Sequence, residues 1–321
     1  MKTKFAALLA FGATAIAATA GTLTDGNATL TLIGPPVFGS SVGDVTFRTD
    51  PNGVDQGFKY TWYYRTPNNN QNRVLSSLDT PIESFSGNTA TVQYTSAGPL
   101  PVGFERFDAD MTLTLQDSNQ PGQALVCAEV IITNPNPNPV TYQFFNLVDL
   151  DLRGTPVDDT ASVSDPNAIL LRYEDGGSTT FAEVLGVGAT AYQLDASFSL
   201  RSQLNGGAAN LDNVATPFTG DAAVALQWTL TIDPGASATM VSKFAVNQSL
   251  ANSGCGAACD VPGGDADIDG DCDVDLSDLA GLLANFGSGS ATHSQGDTDF
   301  DGDVDLTDLA NLLGAFGASC P

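Results

Sequence analysis

Residues 21 to about 254 are written in short alternating runs, and that pattern leaves little choice but β structure. Thr29-Leu30-Thr31-Leu32, Val45-Thr46-Phe47-Arg48, Thr91-Val92-Gln93-Tyr94 and Met111-Thr112-Leu113-Thr114-Leu115 each put every second side chain on one face. Thr141 to Phe145, Val224 to Leu230 and Met240 to Phe244 continue the pattern. Gly, Pro, Asn and Asp clusters punctuate the runs, and no 12-residue stretch keeps a helical period. Pro135, Pro137 and Pro139 alternate with Asn134, Asn136 and Asn138. Prolines donate nothing to a ladder, so that stretch is a loop or a polyproline-type connection. The expectation is an antiparallel β-sandwich, jelly-roll-like, over residues 21–248.

Composition narrows the chemistry. The chain of 321 residues has a net charge of −26, which disfavours nucleic acid and anionic membranes as partners. Its one histidine, His293, nearly excludes Ser-His-Asp triads, His-rich zinc sites and imidazole proton shuttles. At the N-terminus, Lys2 and Lys4 precede an apolar or small-residue run from Phe5 to Ala18, and Ala18-Thr19-Ala20 is an A-x-A cleavage site. Residues 1–20 therefore read as a signal peptide, placing the mature chain in the secreted or cell-surface space with no membrane insertion. Four cysteines, Cys255, Cys259, Cys272 and Cys320, crowd the C-terminal fifth, and three pairings are open to them. Cys127 stands alone in an apolar run and is expected to be a buried spectator.

From Cys255 onward the grammar changes. Residues 255–321 contain fourteen aspartates and no Lys, Arg or Glu, after a Ser-, Gly-, Asn- and Pro-containing linker at 249–264. Within residues 265–321, the stretches 267–287 and 297–317 agree at 14 of 21 positions, an internal duplication at an offset of thirty. Each copy spaces oxygen donors as a hard cation needs them: Asp267, Asp269, Asp271, Asp273, Asp275 and Asp278 in the first, and Asp297, Asp299, Asp301, Asp303, Asp305 and Asp308 in the second. These stand at loop positions 1, 3, 5, 7, 9 and 12, and Gly302 takes position 6. Two Ca2+ sites are expected, the second loop the more secure. In the first, Cys272 occupies position 6, and a rival frame starting at Asp265 puts Gly270 there but Leu276 at position 12. A Cys272–Cys320 disulfide would offset the strain at position 6. Val274 and Val304 stand at position 8, where they can pair across the loops. Leu279, Leu282, Leu283 and Phe286, and likewise Leu309, Leu312, Leu313 and Phe316, then recur at helical spacing before Gly287 and Gly317.

A pair of loop-helix units with no helix ahead of either loop resembles the type I dockerin module. The likeness covers about residues 260–321. It implies a small all-α calcium-binding module with the twelve aspartates as ligands, and a cohesin-like extracellular partner. Dockerins are appended to secreted polysaccharide-degrading proteins. Here position 10 is Leu276 or Leu306 and the helices hold no Lys or Arg, a departure from the family that leaves an apolar docking face as an alternative to the usual contacts. A self-contained clasp without a partner is the plainer alternative.

No catalytic residue is assigned in the body. Trp62-Tyr63-Tyr64-Arg65 and Trp228 offer a sugar-stacking platform or, preferably, a buried aromatic core. Glu129 lies in an apolar run that suits a general acid, or faces outward on a half-buried strand, the preferred reading. Asp149-Leu150-Asp151 and Asp158-Asp159 offer a further cation site or plain strand ends and turns. The leading expectation is a secreted non-catalytic protein whose body binds extracellular polysaccharide and whose tail mediates attachment. The alternatives are a glycoside hydrolase or lyase delivered by its tail, and a structural surface protein.

Overall fold

The computed structural model describes residues 21–32, 45–50, 53–68, 71–75, 82–94, 105–118, 120, 122–166, 169–250, 266–268, 274–289, 291, 295–298 and 303–318. The expected signal segment 1–20, most of the linker, His293 and the four tail cysteines lie outside them. So do the predicted ligands Asp269, Asp271, Asp273, Asp299 and Asp301, together with Gly302 and the residues of the rival first-loop frame, Asp265 and Gly270.

The described chain is mainly β. It begins β1 (Gly21–Asp25), β2 (Ala28–Leu32), β3 (Val45–Arg48), β4 (Gly57–Arg65), β5 (Arg73–Val74) and β6 (Ile82–Ser86). It continues β7 (Thr89–Tyr94), β8 (Asp108–Asp117), β9 (Ala124–Thr133), β10 (Val140–Leu150), β11 (Asp159–Asp165) and β12 (Leu170–Asp175). Then come β13 (Phe181–Val187), β14 (Ala191–Ala196), helix α1 (Ser197–Leu204), β15 (Phe218–Gly220), β16 (Ala222–Ile232) and β17 (Ser237–Val246). Helices α2 (Leu276–Asn285) and α3 (Leu306–Ala315) follow in the tail. All the described ladders are antiparallel. They form a small sheet β1-β2-β3, a five-stranded sheet β14-β16-β10-β4-β5 and a nine-stranded sheet β15-β11-β12-β13-β17-β9-β8-β7-β6.

The two large sheets share one core. In β9, Ala124, Val126, Ala128, Val130 and Ile132 point into it, as do Tyr142, Phe144 and Val148 of β10. The Tyr60 ring of β4 meets Phe244 of β17 at 5.3 Å, and Trp62 stacks on Trp228 at 5.4 Å. The aromatic run is therefore core: Trp62 and Trp228 are each 1% exposed. Glu129 is half-buried on the face of β9 that points away from this core, as strand alternation demands. Cys127 shares that outer face, and it is disulfide-bonded rather than a spectator. Among the described residues it is the one cysteine.

The Asn-Pro stretch carries the chain from the nine-stranded to the five-stranded sheet. Asn134, fully buried, makes this crossing rigid: its amide donates to the carbonyls of Asn138 (2.9 Å) and Ile232 (2.8 Å). Its side-chain oxygen accepts from the Asn136 backbone N–H at 2.9 Å. The opposite face of the five-stranded sheet is covered by α1, too short for its period to stand out in the sequence. There Tyr63, Phe145, Leu147 and Ala225 meet Leu200 and Leu204 of α1. Strand β10 is thus covered on both faces, which explains why it is buried without a break from Phe144 to Leu150.

In the tail, each loop valine pairs with the turn after the other copy's helix. Val304 accepts from Gly287 N–H and donates to Ser288 (2.8 and 3.0 Å), and Val274 does the same with Gly317 and Ala318 (2.8 Å each). The two valines share a buried cluster rather than a direct ladder. Gly287 and Gly317 have φ of 86° and 82°, the left-handed conformation that ends a helix. Leu282 and Leu312 are buried, whereas Leu283, Phe286, Leu313 and Phe316 remain 43–54% exposed. Only part of the apolar stripe expected of each helix is therefore used inside the tail.

Candidate functional site

Strand β10 changes character where its outer cover ends. Phe145 and Leu147 meet α1, and the next two residues on that side are Asp149 and Asp151. The chain then makes a 3-10 turn at Leu152–Gly154, in which Arg153 adopts φ 56°, and returns through Asp158 and Asp159 into β11. Asp159 lies opposite Asp175 of β12 on one side and Gly220 of β15 on the other. Asp221 follows Gly220 at the corner into β16. Strand ends from both large sheets thus bring six aspartates to one end of the body.

They form two groups. Oxygens of Asp149, Asp151 and Asp221 lie within 4.8 Å of one another, and so do oxygens of Asp158, Asp159 and Asp175. Asp149 is fully buried; one carboxylate oxygen accepts from the Ser197 hydroxyl at 2.5 Å, and Oδ1 has no hydrogen-bond partner. Burial first, and then the charges of Asp151 and Asp221, push its carboxyl up to about 7, against the lowering effect of Ser197 and Arg201. Lys59 stands across the ladder from Asp149. Asp151 is half-buried and is pushed up to about 6 by burial and by Asp221 and Asp55, with Arg201 opposing. Asp221 is exposed.

In the second group, Asp159 is 1% exposed. Its Oδ2 accepts from the Leu152 backbone N–H at 3.0 Å, and Oδ1 has no hydrogen-bond partner. Burial and the charges of Asp175, Asp151 and Asp158 push this carboxyl up to about 7, despite the Leu152 bond. Asp175 accepts from the Ser178 hydroxyl at 2.5 Å and from Arg153 at 3.5 Å, and the hydroxyl above all holds it below the usual range. Gly176 is needed here, because its N–H bonds the Asp158 carbonyl at 3.1 Å and a Cβ would come within 2.8 Å of that oxygen.

The tail ligands are only partly described. Asp303, Asp305 and Asp308 come within 4.8 Å of one another, whereas among the described residues Asp267, Asp275 and Asp278 form no such group. Asp297 is buried and Asp267 half-buried. Asp278 and Asp308 also have a role not read from spacing, since each closes a capping box. Asp308 accepts from the N–H groups of Asp305 and Thr298 (2.7 Å each), and Asp278 from Asp275 (2.8 Å) and Ile268 (2.7 Å).

Sequence reading paired Asp149 with Asp151 and Asp158 with Asp159, but missed Asp175 and Asp221. Those two arrive from other strands, and nothing local marks them. The available signal was the Asp-x-Asp that interrupts an apolar strand.

No family model matches the chain, and no curated protein matches it. The chain is similar to several solved structures. A bacterial glucoamylase complexed with acarbose gives a TM-score of 0.48 at 9% identity, covering 73% of this chain and 33% of that one. A galactose mutarotase related enzyme from Lactobacillus acidophilus gives 0.44 at 8% identity, over 72% of this chain and 98% of that one. A galactose mutarotase-like protein from Lactobacillus casei gives 0.43 at 7%, over 71% and 100%. The chain thus spans about a third of the glucoamylase. The expectation of a non-catalytic protein framed by its dockerin-like tail is corrected here. The end of β10 carries clustered carboxylates of raised proton affinity, which a passive binding face does not need.

Proposed function

We propose that the body is a β-sandwich carbohydrate-processing enzyme, a glycoside hydrolase or lyase, with Asp151 as general acid and Asp221 as its partner carboxylate. One observation carries the reading: the half-buried Asp151, held up to about 6, lies beside the exposed Asp221. A carboxyl whose environment raises its proton affinity is suited to hold a proton beside a second carboxyl. The chain has a single histidine, outside the described residues, so carboxylates must do the acid–base work. Glycosidic bond cleavage is a chemistry that such a pair can run. Oxygens within 4.8 Å of one another stand closer than the roughly 6.5–9.5 Å of an inverting pair, which favours the retaining arrangement. Asp149, buried behind the pair, touches no substrate and acts by positioning. The sandwich reading is supported by the core that the two large sheets share.

The test is reducing-sugar or unsaturated-product release from a polysaccharide panel. Asp151→Asn and Asp221→Asn should each lower kcat by about 10²–10⁴-fold, while Glu129→Gln leaves it unchanged. No turnover by the wild type, or full activity in Asp151→Asn, would sink the assignment.

A second reading concerns the tail, where the clustering of Asp303, Asp305 and Asp308 supports a Ca2+ site in the loop that leads into α3. Carboxylates this close repel unless a cation neutralises them. Calcium should then protect the tail of the full-length chain from proteolysis, and a chelator should remove that protection. Cleavage at the same rate in both conditions would exclude the site.

A further inference from the structure

The carboxylates of Asp158, Asp159 and Asp175 are not used by the acid–base pair proposed above, and they are difficult to explain as ordinary strand ends. Asp159 and Asp175 face each other directly across the β11–β12 ladder. Like charges so placed destabilise a sheet. Asp158, next in the chain, adds a third carboxylate, and its Oδ1 is buried without a hydrogen-bond partner. The Asp159 side chain is 1% exposed, and its Oδ1 also lacks a partner. A buried carboxylate oxygen left unmatched is costly, and it is relieved either by a proton or by a compensating cation.

Arg153 supplies little of that charge. Its guanidinium reaches only Asp175, at 3.5 Å, and its side chain is 53% exposed. It leaves Asp158 and Asp159 without an ion pair among the described residues. The surrounding backbone is built to hold the group in place. The Asp159 Oδ2 is fixed by Leu152 N–H, Asp175 by Ser178 and Gly177, and Gly176 brings the Asp158 carbonyl against the β12 turn.

We infer that Asp158, Asp159 and Asp175 form a divalent-cation site of the calcium class, separate from the tail loops. Three carboxylates with oxygens within 4.8 Å of one another suit an ion that takes oxygen ligands at about 2.3–2.6 Å in irregular geometry. A smaller ion demanding a strict octahedron fits less well. The ion would stitch the start of β11 to the end of β12 and hold the turn that carries Asp151. The inference stands apart from the sugar chemistry proposed for Asp151 and Asp221, and its test does not read turnover.

Terbium, a calcium surrogate that luminesces when excited through a nearby tyrosine or tryptophan, separates this site from the tail. Residues 255–321 contain neither Tyr nor Trp. Tyr173, on β12, lies close enough to Asp149 and Asp159 for their charges to act on its hydroxyl. Titrating the full-length chain with terbium should give saturable tyrosine-sensitised emission that excess calcium displaces. Asp159→Asn, which keeps the acceptor for Leu152 N–H, should weaken apparent affinity by about tenfold or more, as loss of one charged ligand does. Asp158→Asn, at a half-buried position where folding is less at risk, should act in the same direction, and Asp308→Asn in the tail should leave the emission intact. Absence of sensitised emission in the wild type would overturn the site. So would emission that follows Asp308 and ignores Asp158 and Asp159.

Discussion

Replacing Trp62 by alanine is expected to lower the free energy of unfolding of the body by about 3–5 kcal/mol, the usual cost of emptying a buried tryptophan site. Trp62 is 1% exposed at the centre of β4. It stacks on Trp228 with an interplanar angle of 25°, and its edge meets Tyr60 at 6.4 Å. Tyr60 leans in turn on Phe244 of the opposite sheet. The truncation therefore removes a large side chain and leaves its ring neighbours without a packing partner on one side. Neighbouring strands are locked in register on both sides of β4, so the cavity has little room to collapse. For a body of this size the midpoint of thermal unfolding should fall by roughly 10 °C. Phe198→Ala is the matched control, because Phe198 is 73% exposed on α1 and its loss should matter by no more than about 0.5 kcal/mol. Calorimetry on the two variants decides it: equal midpoints would mean that the tryptophan pair is not the centre of the core.

The second large effect is on pH dependence, and its sign is opposite to that of most carboxylates. Asp149 is held up at about 7 in the folded chain, against an ordinary value of 3.8. Between those values the folded state keeps a proton that the unfolded chain has released. Stability is therefore fully present at low pH, falls as pH rises from about 4 to about 7, and levels off above that. At about 1.4 kcal/mol per pH unit the whole span is worth about 4 kcal/mol for this one group. Ser197 and Arg201 oppose the effect, Asp151 and Asp221 reinforce it, and Lys59 stands across the ladder. Asp151 and Asp159 add slopes of the same sign. In chelator, the wild-type midpoint should fall between pH 5 and pH 8. Asp149→Asn, which still accepts from Ser197, should flatten the curve and be the more stable protein at pH 8. A wild-type midpoint that climbs over this interval, or a variant curve parallel to the wild type, would show that Asp149 is ionised with little penalty.

The two predictions meet in β10. Its inward positions, Tyr142, Phe144 and Val148, supply the core that Trp62 completes. Its outward positions run from Phe145 and Leu147 under α1 to Asp149, where the apolar cover stops. One strand therefore both builds the core and carries Asp149 at its end, next to Asp151. A carboxyl anchored on a packed strand holds its geometry better than one on a free loop, and that precision is what acid–base chemistry requires.

Much of this was written in the local sequence. Period-two alternation named the strands, because a half-buried sheet face admits no other arrangement of Thr-Leu-Thr-Leu or Met-Thr-Leu-Thr-Leu. The same period assigned Glu129 to the outer face and made core the preferred reading for Trp62 and Trp228. The two tail helices were legible from their apolar spacing and from the glycines that end them. What was not legible was everything that depends on which strands become neighbours. Helix α1 spans only eight residues and is specified by the sheet it covers, not by a period of its own. The disulfide at Cys127 depends on a pairing that no spacing reveals. Asp149 and Asp151 were visible as an interruption in an apolar run, but Asp221 reaches them from seventy residues away, and Asp175 reaches Asp159 only through the β11–β12 register. The sequence by itself determined a β body, an acidic duplicated tail and a chain rich in carboxylates with one histidine, because those follow from side-chain period and from residue types present or missing. Only the tertiary structure decided which carboxylates meet and which of them keep a proton, because proximity across strands and loss of solvent are properties of the folded chain.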